Sequence, residues 1–143
     1  MNMPSNEEYE SLKTQQKNAQ DQYNQAQYRI EDNNYKISRL KKTKATLIEQ
    51  KAAFKRVKDD DRKLVQKRRT GFKGREFSSF QSKGSSLICE NDAFLNASLD
   101  SALDAVNNEI TRLENLNYNE YGLLGQLTSV INSLANKIEN FFN

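Results

Sequence analysis

The chain has 143 residues, 36% of them hydrophobic and 29% charged, with a formal net charge of +3. That length suits a single domain, taken as residues 1–143, and that polarity excludes a globule with a thick core; it fits helices that each bury one stripe. There is no His and no Trp, and the only Cys is Cys89, so the usual nitrogen and sulfur metal ligands are missing and the thiol has no imidazole to activate it.

The first helix is expected over about 5–69. Ser5-Asn6-Glu7-Glu8 reads as a capping box, in which the hydroxyl of residue 5 accepts from the backbone of residue 8. Glu7, Glu8 and Glu10 favour the positive end of the helix dipole. A register with alternating steps of three and four then runs Tyr9, Leu12, Gln16, Ala19, Tyr23, Ala26, Ile30, Asn33, Ile37, Leu40, Lys44, Leu47. Such steps keep every member on one face. Phe54, Val57, Leu64 and Val65 extend the apolar stripe less regularly. Gln16, Asn33 and Lys44 stand on the seam as polar residues that set register at a cost in stability.

The segment "RRTGFKGREFSSF", Arg68 to Phe80, breaks this pattern. Gly71 and Gly74 mark a tight turn at about 70–75, because glycine accepts the left-handed backbone such corners use. Phe72, Gly74 and Phe77 form an aromatic-bearing turn element, with the aromatic fastening the end of the hairpin. Phe77 and Phe80 share a helical face, and Ser82 to Ser86, "SKGSS", marks a candidate break at 83–86. Cys89 is expected as a small apolar residue, at least partly covered.

The second helix is expected over about 76–142. Its seam is Leu99, Leu103, Val106, Ile110, Leu113, Asn117, Glu120, Leu124, Leu127, Ile131, Leu134, Ile138 and Phe141, again in steps of three and four. The polar pair Asn117 and Glu120, followed by Gly122 and Gly125, predicts a kink or polar pocket near 117–125. Two long helices joined by a short turn pack antiparallel to cover their stripes. The expected fold is therefore all-α, a long antiparallel two-helix hairpin of coiled-coil type. A two-helix hairpin covers one side of each helix, so a protein partner, identical or different, is expected.

Charge is placed unevenly. Residues 36–75 hold sixteen Lys or Arg against four acids, a net of +12, which leaves −9 for the rest. A basic segment suits phosphate, an anionic surface or an acidic protein. Aromatic stacking platforms are not interleaved there, which disfavours nucleic acid. Asp59-Asp60-Asp61 point in different directions on a helix and do not converge on one cation. No catalytic constellation stands out, so no enzyme, cofactor, metal site or small-molecule substrate is expected. No apolar run is long enough to cross a membrane. The polar start "MNMPSNEEYE" lacks the features of a Sec signal peptide, which leaves the cytoplasm or export by another route.

The layout resembles the Trp-x-Gly (WXG) superfamily of helical hairpins exported by type VII secretion, with Phe72 in place of Trp before Gly74 and with longer helices. It resembles more closely the YwqH-like helical partners of LXG toxins in Gram-positive bacteria. The superfamily's export signal, Tyr-x-x-x-Asp/Glu after the second helix, is not matched at Tyr118 or Tyr121. Tyr28 and Asp32 match its letters but lie inside the first helix. The resemblance implies a non-enzymatic adaptor or targeting chaperone. It would bind the helical N-terminal LXG domain of a toxin, alone or with a second small helical protein, and leave the export signal to that partner. It also implies a cytoplasmic protein, or one secreted with its partner. The second-helix seam and Phe72, Gly74 and Phe77 are the residues through which it would act. The alternatives are a self-associating coiled-coil scaffold, seen as a homodimer, and a nucleic-acid-binding hairpin using residues 36–75.

Overall fold

A computed structural model of the chain describes residues 6–66 and 74–141. It contains two helices, α1 over Asn6–Gln66 and α2 over Gly74–Glu139. They pack against each other as an all-α hairpin. Ser5, Gly71 and Phe72 lie outside the described residues. Gly74 lies at the start of α2 and has a φ of 47°, the left-handed conformation in which glycine carries no Cβ penalty.

Two expectations along the chain are corrected. The candidate break at 83–86 does not occur, and α2 runs through it as regular helix. Gly84 is instead a contact residue: a Cβ there would lie 2.9 Å from Cγ2 of Val65. The missing side chain serves close approach of two helices, and the i→i−4 ladder tolerates one glycine at about 1 kcal/mol. The second correction is Cys89, which is exposed, one residue out of step with the covered Ile88.

By contact the chain divides into two units, residues 1–38 with 110–143, and residues 39–109. The first holds most of the buried core: Ala19, Ala26, Ile30 and Ile37 of α1 against Ile110, Leu113, Leu127 and Leu134 of α2. Leu113 is only 2% exposed. Tyr9 meets Phe141 with ring centroids 5.4 Å apart, a tilted pair that closes the apolar stripe at the helix ends.

The second unit is built differently. Among its described residues only Val65 counts as buried hydrophobic core. Its α1 seam passes through Lys44, Lys51 and Lys58, seven residues apart, all half-buried. α2 answers with Ile88, Asp92, Leu95, Leu99 and Val106, also half-buried. Val57 and Leu64, expected on the stripe, are exposed. They precede Lys58 and Val65 by one residue, and one residue rotates a helix surface by about 100°. On α2, likewise, Leu87 and Phe94 are exposed beside the half-buried Ile88 and Leu95, so two apolar registers run there and the hairpin covers one.

Candidate partner-binding face

In the first unit the polar seam residues find each other. Asn33 Nδ2 donates to Asn117 Oδ1 at 3.0 Å, and Asn117 Nδ2 donates to Asn34 Oδ1 at 2.9 Å. Asn117 is 6% exposed, and no buried side-chain nitrogen or oxygen among the described residues lacks a partner. One step along the seam, Arg29 Nε donates to Glu120 Oε1 at 2.7 Å and Nη2 donates to Oε2 at 3.0 Å. This is the two-pronged fit of a planar guanidinium to a carboxylate. The hydrogen bonds from Arg29 hold the Glu120 carboxyl below its usual value, and those to Glu120 raise Arg29. The pocket anticipated at 117–125 is thus a polar layer, and α2 stays helical through it.

In the second unit, Lys51 Nζ meets Asp100 at 2.6 Å and Lys58 Nζ meets Asp92 at 2.8 Å. Asn96 donates to the other oxygen of Asp92 at 3.1 Å. Lys51 and Lys58 thus reach carboxylates on the facing helix. They occupy positions where Leu or Ile would otherwise supply the apolar contact.

The hydrocarbon that a seam normally hides is found beside it. Phe80, Leu87 and Phe94 recur every seven residues on α2 and are exposed, Leu87 by 58% and Phe94 by 71%. Each precedes a covered residue: Gln81, Ile88 and Leu95. On α1, Val57 and Leu64 show the same spacing and the same offset. Phe54, Val57, Ile88, Phe94 and Leu95 line one groove of about 290 Å³, crossed by the Lys58–Asp92 pair. The contacts Lys58–Asp92 and Val65–Gly84 set the level of the two helices. In that register Val57 lies level with Phe94, and Leu64 with Leu87.

The exposed large apolar residues differ in kind between the units. In the first unit four of the six are tyrosines, Tyr28, Tyr35, Tyr118 and Tyr121, which keep a hydroxyl in water. In the second they are Ile48, Phe54, Val57, Leu64, Phe80, Leu87 and Phe94, with no polar atom in any side chain. Burying one such side chain is worth about 1.5–3 kcal/mol.

Of the expected turn element, Gly74 and Phe77 are described and Phe72 is not. Phe77 is half-buried at the start of α2. Of the seam residues in α2, Ile110, Leu113, Leu127 and Leu134 are buried, and Leu99, Leu103, Val106, Leu124, Ile131 and Ile138 are half-buried. The periodicity of a single register did not reveal the second stripe. Its signal is present as the seven-residue recurrence of Phe80, Leu87 and Phe94, but only the seam's position tells which register is left over.

Lys41, Lys42, Lys44, Lys55, Arg56, Arg62 and Lys63 make no ion pair among the described residues. No group of His, Cys, Asp or Glu there is placed to hold a metal ion, and no described helix is long and apolar enough to cross a membrane.

No protein-family model, curated protein or solved structure matches this chain.

Proposed function

We propose that the chain is a non-enzymatic helical adaptor that docks a helical segment of another protein on its second unit. The observation that carries this reading is the heptad-spaced stripe of Phe80, Leu87 and Phe94 beside Val57 and Leu64, exposed in a unit in which Val65 is the one buried hydrophobic side chain among the described residues. An amphipathic helix laid along two helices buries such a stripe through anchors at i, i+3, i+4 and i+7. The resemblance of the layout to WXG-type hairpins names the partner class: the helical N-terminal domain of an LXG toxin, held for type VII export. The chain would act on it in the cytoplasm or travel with it.

Co-expression with an LXG-type N-terminal domain, followed by size exclusion with mass measurement, tests this. A complex that survives high salt is expected, since apolar burial is not screened. Two free proteins would sink the proposal.

The same stripe also favours a second reading, a self-associating scaffold. It requires a stable homodimer of the isolated chain, which the mass measurement reads directly.

A further inference from the structure

The second unit offers two seams, and they lie at the same level. In the seam that the structure closes, α1 supplies Lys51, Lys58 and Val65, and α2 supplies Gly84, Ile88, Asp92 and Leu95. It is held by Lys51–Asp100, by Lys58–Asp92 and by the close approach of Val65 to Gly84. One residue earlier on each helix stands a second set, Val57 and Leu64 on α1 and Leu87 and Phe94 on α2. All four are apolar and exposed, and Val57 is level with Phe94 as Leu64 is with Leu87. The two ion pairs are partly in water, where such pairs contribute little. The second set would bury more hydrocarbon. Neither seam wins on both counts. Packing leaves room as well: a groove of about 290 Å³ is lined by Val57, Lys58, Phe94 and Leu95, members of both sets. A close-packed seam leaves no void of that size.

We infer that the two helices of this unit exchange one seam for the other by turning about their own axes. A step of one residue turns a helix by about 100°. The contacts Lys51 with Asp100, Lys58 with Asp92 and Val65 with Gly84 run antiparallel. The same step on both helices therefore turns them in opposite senses seen from one end, and the facing surfaces roll without sliding. No change of level is needed. In the turned state Leu64 meets Leu87 and Val57 meets Phe94, while Lys58 and Asp92 part and swing into water. Two discrete packings of one helix pair, with opposing terms that nearly balance, make a two-state element. The exchange goes beyond the docking reading and bears on it directly: the turned state covers the stripe on which a partner would dock.

The test uses the full chain with cysteine pairs and oxidised glutathione, which takes up the two electrons as each intramolecular disulfide closes. Val65→Cys/Gly84→Cys in a Cys89→Ser chain reports the described seam. A Cβ at Gly84 lies 3.6 Å from that of Val65, a spacing that a disulfide uses. Leu64→Cys/Leu87→Cys in the same background reports the turned seam. Lys63→Cys with the native Cys89 is the control, at a similar level but on the opposite flank, where the pair meets in neither seam. The Val65/Gly84 pair should close fastest, and the Leu64/Leu87 pair about tenfold faster than the control. With Phe94→Trp added, closing the Leu64/Leu87 pair should move the indole emission to the blue, and closing the Val65/Gly84 pair should not. Circular dichroism should show the helices retained in both. A Leu64/Leu87 pair that closes no faster than the control overturns the inference, because the helices then only part and rejoin. Loss of helix on closure overturns it too. Disulfides formed between two chains instead of within one overturn it by placing a second copy on the stripe. No partner protein is present, so every outcome reads the helix pair alone and leaves the docking reading to its own experiment.

Discussion

Asn33 and Asn117 join their side-chain amides across the helix–helix seam at 3.0 Å, and Asn34 completes the arrangement from the other side. A buried asparagine at a seam position selects the register in which its partner is also polar, and it gives up hydrophobic stabilisation to do so. Slipping the helices would leave the Asn117 amide buried against Ile or Leu. Asn117→Ala should therefore cost about 1–3 kcal/mol in urea unfolding, the range for a buried polar contact removed on one side. The double variant Asn33→Leu/Asn117→Leu should melt no lower than the parent yet show mixed species by sedimentation. A single species with a clearly lower melting temperature would show that the layer only stabilises.

The glycines of α2 should answer differently to alanine. At Gly122 and Gly125 an added Cβ meets nothing within 4 Å, so Gly→Ala there should stabilise by up to about 1 kcal/mol through helix propensity. At Gly84 the same gain opposes a 2.9 Å contact with the stiff, branched Val65 side chain. Overpacking costs about 1–3 kcal/mol and should win. Adding Val65→Ala should restore a favourable sign to Gly84→Ala. A double-mutant cycle by thermal melting reads this, and additivity would show that the two residues do not touch.

Leu113 and Leu116 are three residues apart on α2, with Leu113 2% exposed and Leu116 on the surface. Leu113→Ala should cost about 2–5 kcal/mol. Leu116→Ala should change stability by no more than about 0.5 kcal/mol. Chemical denaturation of the two variants checks the burial pattern, and equal costs would contradict the seam.

The Arg29–Glu120 pair gives a pH dependence of defined sign. Hydrogen bonds from Arg29 hold the Glu120 carboxyl below its ordinary value in the folded chain. A carboxyl lowered in this way stabilises fully above its unfolded value, about 4.3. That contribution is lost as pH falls through the folded value. The parent should therefore be more stable than Glu120→Gln at pH 7, by a margin that shrinks below about pH 4. The raised Arg29 works in the other direction: its contribution is present throughout the neutral range and is lost only in strong alkali. Melting curves at pH 7 and pH 3 with the same gap between the two proteins would remove the pair from the account.

Leu87→Gln and Phe94→Gln should leave the melting temperature of the isolated chain nearly unchanged, since both side chains are already in water. They should also reduce its tendency to associate, because they break a contiguous apolar patch. A marked fall in melting temperature would mean that the stripe is part of the fold and has no surface role.

The hairpin itself was legible in the sequence. Steps of three and four from Tyr9 to Leu47 and from Leu99 to Phe141 predict the residues that the structure covers. The periodicity is strong there because apolar residues fill most seam positions. From Phe54 to Leu64 the reading fails. Lysines hold the seam positions and hydrocarbon stands one residue away, so hydrophobicity alone assigns the seam to the wrong side of the helix. Ser82 to Ser86 was misread for a related reason. Small residues and a glycine announce a turn when their neighbours in space are unknown, yet Gly84 gives up its side chain to the facing Val65.

What the amino-acid order determined by itself is the local chemistry: two long helices, a glycine at the start of the second, a polar interruption in each seam and a basic middle. These follow from spacing, propensity and charge, which need only neighbours along the chain. The tertiary structure alone decided which residues meet. It joined Asn33 to Asn117 and Arg29 to Glu120, placed Gly84 against Val65, and drew Lys58 to Asp92. It thereby left Val57, Leu64, Phe80, Leu87 and Phe94 among the exposed side chains. A helix offers several faces that could be a seam. Only the match of volume, hydrogen bonds and charge with the facing helix selects one, and the other apolar face is left on the surface.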